Sequence, residues 1–113
     1  MKPNLSRHLP MLALTGALVA PQAQAQADDA VSGRQKAQAC AVCHGPLGLS
    51  VTPDAPNLAG QPALYLTAQL RAYRSGARKH EVMTVISKPL TDDDIRQLAT
   101  WFSSLRIDVQ RLP

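Results

Sequence analysis

Aromatic side chains are scarce, with one Trp, two Tyr and one Phe in 113 residues. So few planar rings argue against a surface that stacks nucleic-acid bases. Charge is modest as well: Asp, Glu, Lys and Arg make up 18% of the chain, with 12 basic against 8 acidic side chains. Two of the basic residues, Lys2 and Arg7, lie in the first ten positions, so residues 28–113 keep a formal charge of only +2. That is too little to mark a nucleic-acid-binding stripe. Cysteine is limited to Cys40 and Cys43, two residues apart. A pair so close cannot close a long loop, so ordinary disulfide stapling is not their purpose.

No apolar run reaches bilayer length. Leu9–Ala20 (LPMLALTGALVA) is shorter than the roughly 20 residues a spanning helix requires. With Lys2 and Arg7 before it and the A-x-A sites Ala23-Gln24-Ala25 and Ala25-Gln26-Ala27 after it, the run reads as a secretory leader. The expected organisation is a leader over 1–27, cleaved near 25–27, and one domain over 28–113. A retained membrane anchor is the competing reading, and the short run argues against it. A domain of that size has barely enough core to fold without a covalent or metal staple.

Four helical segments are expected. The first, at about 30–42, is rich in Ala and Gln and runs into the cysteines. Residues 45–60 hold three Gly and three Pro and form a loop, with Leu47, Leu49, Val51 and Leu58 as apolar contacts. Gln61–Ser75 is a helix, with Pro62 in its first turn and Gly76 past its end. Val82–Ser87 allows a turn or two. The last helix has Thr91 as N-cap, Asp94 at N3, and an apolar stripe of Ile95, Leu98, Ala99, Phe102 and Leu105. No strand-like alternation accompanies them, so the fold class is all-α.

The chemistry is concentrated in Cys40-Ala41-Val42-Cys43-His44. Cys-x-x-Cys-His is an attachment signature for c-type haem. Each thiol can form a thioether to one porphyrin vinyl group, and the next residue, His44, supplies a proximal imidazole ligand to iron. A thioredoxin-like dithiol would require a strand before the motif and a mixed α/β fold. Zinc would require a fourth ligand, for which His80 is the obvious candidate. Beyond the leader the chain has a single methionine, Met83, between the second and last helices. Its thioether suits a distal ligand that favours ferrous iron. His80 is the rival, three residues earlier, and an open sixth position is the third option. No paired carboxylates or Ser/His/Asp set accompanies the motif.

These residues resemble a class I cytochrome c, notably the short bacterial periplasmic monohaem forms and single halves of the dihaem relatives. The resemblance is carried by Gly33-x-x-Lys36-Ala37-x-x-Cys40-Ala41-x-Cys43-His44-Gly45, by Pro56-Asn57-Leu58-Ala59-Gly60-Gln61 and by Tyr65-Leu66-x-x-Gln69-Leu70. Gly76-x-Arg78, Met83 and Leu90-Thr91-Asp92-x-Asp94-Ile95-x-x-Leu98-Ala99 continue it across 30–105. Trp101 departs from the pattern, standing where these forms more often have Tyr. A second haem motif is absent from this chain.

The resemblance implies a class I cytochrome c fold, three main helices plus a short one around one covalent haem c. It implies iron ligands His44 and Met83, with Pro56 orienting His44 through its carbonyl. Leu58, Leu66, Leu70, Val85, Leu98 and Phe102 would line the haem pocket. Gly33 would let the first helix cross the last near Trp101, and Gly45 would give the chain room beside the haem. The function implied is one-electron transfer between larger redox proteins in the periplasm, by a carrier and not an enzyme. Two alternatives stand beside it: a subunit through which electrons enter a dehydrogenase or oxidase complex, and a haem enzyme with a displaceable distal ligand.

Partners are expected to be redox proteins with an acidic docking face, met by a monomer without stable membrane insertion or bound nucleic acid. The reason is segment 71–88, where Arg71, Arg74, Arg78, Lys79 and Lys88 outweigh Glu81. Ordinary solvated surface is the competing reading of that charge run.

Overall fold

The computed structural model describes residues 21–111, and the first part of the expected leader, residues 1–20, lies outside the described residues. The elements in chain order are α1 (Pro21–Lys36), a 3-10 turn (Ala37–Cys40), α2 (Ala41–His44), α3 (Ala63–Ser75), α4 (Glu81–Ser87) and α5 (Asp92–Ser104). No strand occurs among the described residues. The expected first helix at about 30–42 therefore differs in two ways. The Ala/Gln-rich stretch through both A-x-A sites is itself helical, within α1. Beyond Lys36 the chain tightens into the 3-10 turn before α2, so the cysteines do not continue one straight helix.

Helix α5 has the strongest local instructions. The Thr91 hydroxyl accepts the Asp94 N–H at 3.1 Å, and the Asp94 carboxylate accepts the Thr91 N–H at 2.8 Å, which completes a capping box. Asp92, Asp93 and Asp94 place three negative charges in the first turn, where the helix dipole favours them. The stripe Ile95, Leu98, Ala99 and Phe102 is buried along the inner face. Each large apolar side chain so buried contributes about 1.5–3 kcal/mol.

That face packs on two helices at once, α1 and α3. The crossing with α1 depends on Gly33, because a Cβ there would stand 2.0 Å from the Gln97 carbonyl oxygen and 2.8 Å from the Trp101 Cβ. Ion pairs secure both ends of the crossing. Lys36 meets Asp94 at 2.7 Å, and Arg96 meets Asp29 at 2.9 Å and also Asp93. Helix α3 begins after Pro62, whose carbonyl accepts the Leu66 N–H at 3.0 Å. Pro62 is thus the cap and not, as the sequence suggests, a residue of the first turn. The helix ends at Gly76 in the left-handed region, φ +81°.

The central cluster comprises Ala37, Leu66, Leu98, Ala99 and Phe102, with Cys40, Leu58, Leu70, Leu90, Trp101 and Leu105 packed around it. Residues 45–60 have no regular structure but are firmly tied. Gly48 presents its carbonyl to the N–H groups of Leu58 and Ala59 at 2.7 and 3.0 Å, and the Gly60 N–H reaches the Phe102 carbonyl at 2.9 Å. The loop is thereby anchored to the end of α5.

Candidate functional site

Cys40 closes the 3-10 turn, while Cys43 and His44 end α2. Both thiols are free. At Gly45 the chain leaves the helix with φ +75°, and its N–H bonds the Ala41 carbonyl at 2.9 Å. A side chain there would strike the Leu49 carbonyl oxygen at 1.9 Å, so only glycine lets the loop fold back this closely. The returning loop fixes the imidazole. His44 is buried, and its Nδ1 lies 2.8 Å from the Pro56 carbonyl oxygen. A carbonyl can only accept, so Nδ1 carries the hydrogen and donates it. The Nε2 lone pair is left for a metal ion.

Burial pushes the Cys40 thiol above its ordinary range. A nucleophilic redox dithiol needs the opposite shift, supplied by a helix N-terminus or nearby cations. Cys40 instead closes a turn beside an apolar cluster. No three His, Cys, Asp or Glu side chains form a metal-binding group among the described residues. The donor set offers two thiols and one oriented imidazole against an apolar wall, and this combination fits a covalently tethered porphyrin.

The anticipated pocket residues separate into two groups. Leu58, Leu66, Leu70, Leu98 and Phe102 share the central cluster that reaches Cys40. Val85 does not join them. It is 68% exposed, because α4 turns Met83 and Ser87 inward and Val85 lies two residues from each, on the other side of the helix.

Met83 is half-buried in the first turn of α4. Its neighbour His80 is the N-cap of that helix. The His80 Nδ1 accepts the N–H groups of Val82 and Met83 at 3.2 and 3.3 Å, and the His80 N–H donates to the Thr84 hydroxyl at 2.9 Å. Sequence reading treats His80 as a rival ligand and misses this cap, which Thr84 four residues later could have signalled. His80 also meets Tyr73 edge-on, with ring centroids 6.4 Å apart.

The basic segment is less free than its sequence suggests. Arg74 donates to the Leu90 carbonyl at 2.9 Å and to Asp92 at 2.6 Å, and Arg71 lies 3.6 Å from the same carboxylate. Both guanidiniums hold the Asp92 carboxyl below its ordinary range, Arg74 most strongly. Arg78 donates to the Gln69 amide at 2.6 Å and stacks over the Tyr73 ring, 4.7 Å from its centroid.

Residues 30–106 match the family model for cytochrome c. The chain belongs to the cytochrome c family. Cytochrome c-554(548) of Halomonas halodenitrificans is 42% identical over 81 residues, covering 69% of this chain and 98% of that protein. A thiosulfate dehydrogenase electron acceptor of Stutzerimonas stutzeri is 42% identical over 69 residues, covering 58% of this chain but 32% of its own length. In the solved structures, reduced recombinant cytochrome c4 from Pseudomonas stutzeri superposes with a TM-score of 0.65 at 37% identity. The match covers 68% of this chain and 45% of that one. The cytochrome thus spans nearly all of one relative and less than half of the other two. Its all-α architecture is the class I cytochrome c fold, and its family function is electron carriage.

Proposed function

We propose that the cytochrome carries one haem c, bound through Cys40 and Cys43, with His44 and Met83 as axial ligands to iron. It passes single electrons between larger redox proteins in the periplasm, after removal of a leader that ends near residues 25–27. Bound haem supplies a one-electron iron couple at the site. The chain does the rest. Cys40 and Cys43 fix the edge of the group to one stretch of backbone, and Pro56 holds His44 in the tautomer that presents Nε2. Leu58, Leu66, Leu70, Leu98 and Phe102 exclude water, which disfavours extra charge on the metal. Val85, on α4 two residues after Met83, completes the proposed lining.

The carrying observation is the 2.8 Å contact between His44 Nδ1 and the Pro56 carbonyl, one residue beyond the Cys-x-x-Cys pair. It gives a buried imidazole one orientation and strengthens it as a donor. Met83 is supported as the distal ligand by the engagement of its rival: His80 accepts two backbone N–H groups at Nδ1, which puts the ring hydrogen on Nε2 and leaves neither nitrogen a free lone pair. The thioether favours the ferrous state over what a second histidine would give. In the oxidised protein, sulfur ligation should produce the weak far-red charge-transfer band of a thioether-bound ferric haem, and Met83→Ala should abolish it. Survival of the band in Met83→Ala would refute the assignment.

The acceptor role named for the Stutzerimonas stutzeri relative supports a redox-protein partner for this chain as well. Fixed membership of a dehydrogenase or oxidase complex would employ the same site and differ only in whether the cytochrome co-purifies with its partner.

A further inference from the structure

Ser87 is the most deeply buried polar residue of the described chain, 0% exposed, and its hydroxyl has no hydrogen-bond partner. An unpaired buried hydroxyl has given up its hydrogen bonds to water without replacing them, which destabilises the fold. A helical serine ordinarily avoids that cost by donating to the carbonyl four residues back. For Ser87 that carbonyl belongs to Met83, and the bond is not made. The hydroxyl therefore keeps its hydrogen for another acceptor.

Its place in α4 indicates which one. Ser87 follows Met83 by four residues, so the two share a face, and helical side chains tilt toward the N-terminus, here from Ser87 toward Met83. The other positions of α4 are turned away or engaged. Val82, Val85 and Ile86 are exposed, and the Thr84 hydroxyl already accepts the His80 N–H. A thioether sulfur is a weak acceptor, and one that binds iron through one lone pair retains the second.

We infer that the Ser87 hydroxyl donates a hydrogen bond to the Met83 sulfur when that sulfur ligates the haem iron, and so raises the reduction potential. The inference rests on the ligand assignment proposed above. A hydrogen bond draws electron density from the sulfur, weakening its donation to iron. Ferric iron depends on that donation more than ferrous iron does, so the reduced state gains. Ser87 is a positioning and tuning residue in this account.

The test is a redox titration of the haem-loaded protein as wild type, Ser87→Ala, Met83→His and the double variant, with far-red spectra of each oxidised form. Ser87→Ala should retain the band at a shifted position. Its ferrous-to-ferric ratio at fixed ambient potential should fall about threefold, equivalent to about 28 mV at 59 mV per tenfold. In the Met83→His background, where the sulfur is gone, Ser87→Ala should leave the potential unchanged. Equal shifts in both backgrounds, or a retained band with an unmoved potential, would overturn the hydrogen bond alone. Absence of the band from the wild type would overturn the ligand assignment and this inference with it.

Discussion

The backbones of Gly33 and Gln97 lie in such close contact that a single added methyl group cannot fit between them. A Cβ on Gly33 would meet the Gln97 carbonyl oxygen at 2.0 Å and its carbon at 2.6 Å. These are main-chain atoms of a buried helix crossing and cannot rotate aside. Gly33→Ala should gain about 1 kcal/mol of helix propensity. It should lose more by forcing α1 away from α5, since overpacking costs about 1–3 kcal/mol and sometimes more. The net expectation is a lower denaturation midpoint, measured by the loss of helical circular dichroism in urea. An unchanged or higher midpoint would mean that the crossing is looser than described.

Acid should loosen the same crossing. The Lys36 ammonium, with help from the Thr91 N–H and hydroxyl, holds the Asp94 carboxyl down at about 2, against 3.8 ordinarily. A depressed carboxylate contributes stability above its unfolded value and loses it as pH falls through its folded value. The contribution should therefore be complete above about pH 4 and fade toward about pH 2. Much of the pair is solvent-exposed, so its worth is at the lower end, about 1 kcal/mol or less. Asp94→Asn should flatten the pH dependence of unfolding across that window. An equally steep dependence in the variant would place the acid sensitivity elsewhere, with Asp29 beside Arg96 the next candidate.

How far the sequence reveals the molecule varies with the range of the interactions involved. Helix α5 is fully legible because its cap, its acidic first turn and its stripe all lie within one segment. The Cys-x-x-Cys-His motif is legible for the same reason. The 3-10 turn at Ala37–Cys40 is not, because Ala and Gln favour helix in general and do not specify its tighter form. The inward side of α4 is not legible either, since apolar character alone does not say that Val85 is exposed and Ser87 buried on a seven-residue helix. Arg74 and Asp92 lie 18 positions apart, and only the folded chain brings their charges together.

That last pair narrows the docking hypothesis. Arg71 and Arg74 are committed to Asp92, whereas Arg78, Lys79 and Lys88 have no acidic partner among the described residues. If an acidic redox partner docks here, Arg78→Glu and Lys79→Glu should slow its electron exchange and reduce the salt dependence of the rate. The reduction potential should stay the same. Complementary charge acts chiefly on encounter, and its reach shrinks to about 8 Å near 0.15 M salt. Arg74→Gln should do little to that rate but should lower stability, because the Leu90 carbonyl loses its charged donor. Stopped-flow rates at several ionic strengths check both expectations. Equal rates and salt slopes for the glutamate variants would leave the segment as solvated surface.

Whether Cys40 and Cys43 hold a single haem covalently is read from the intact mass of the purified protein after acid–acetone extraction. Extraction removes a haem held only by iron ligands and leaves one held by thioethers. The predicted result is one species, the chain cleaved near residues 25–27 plus the mass of one haem. A haem-free chain two hydrogens lighter, with Cys40 and Cys43 joined as a disulfide, would rule out covalent haem at this motif.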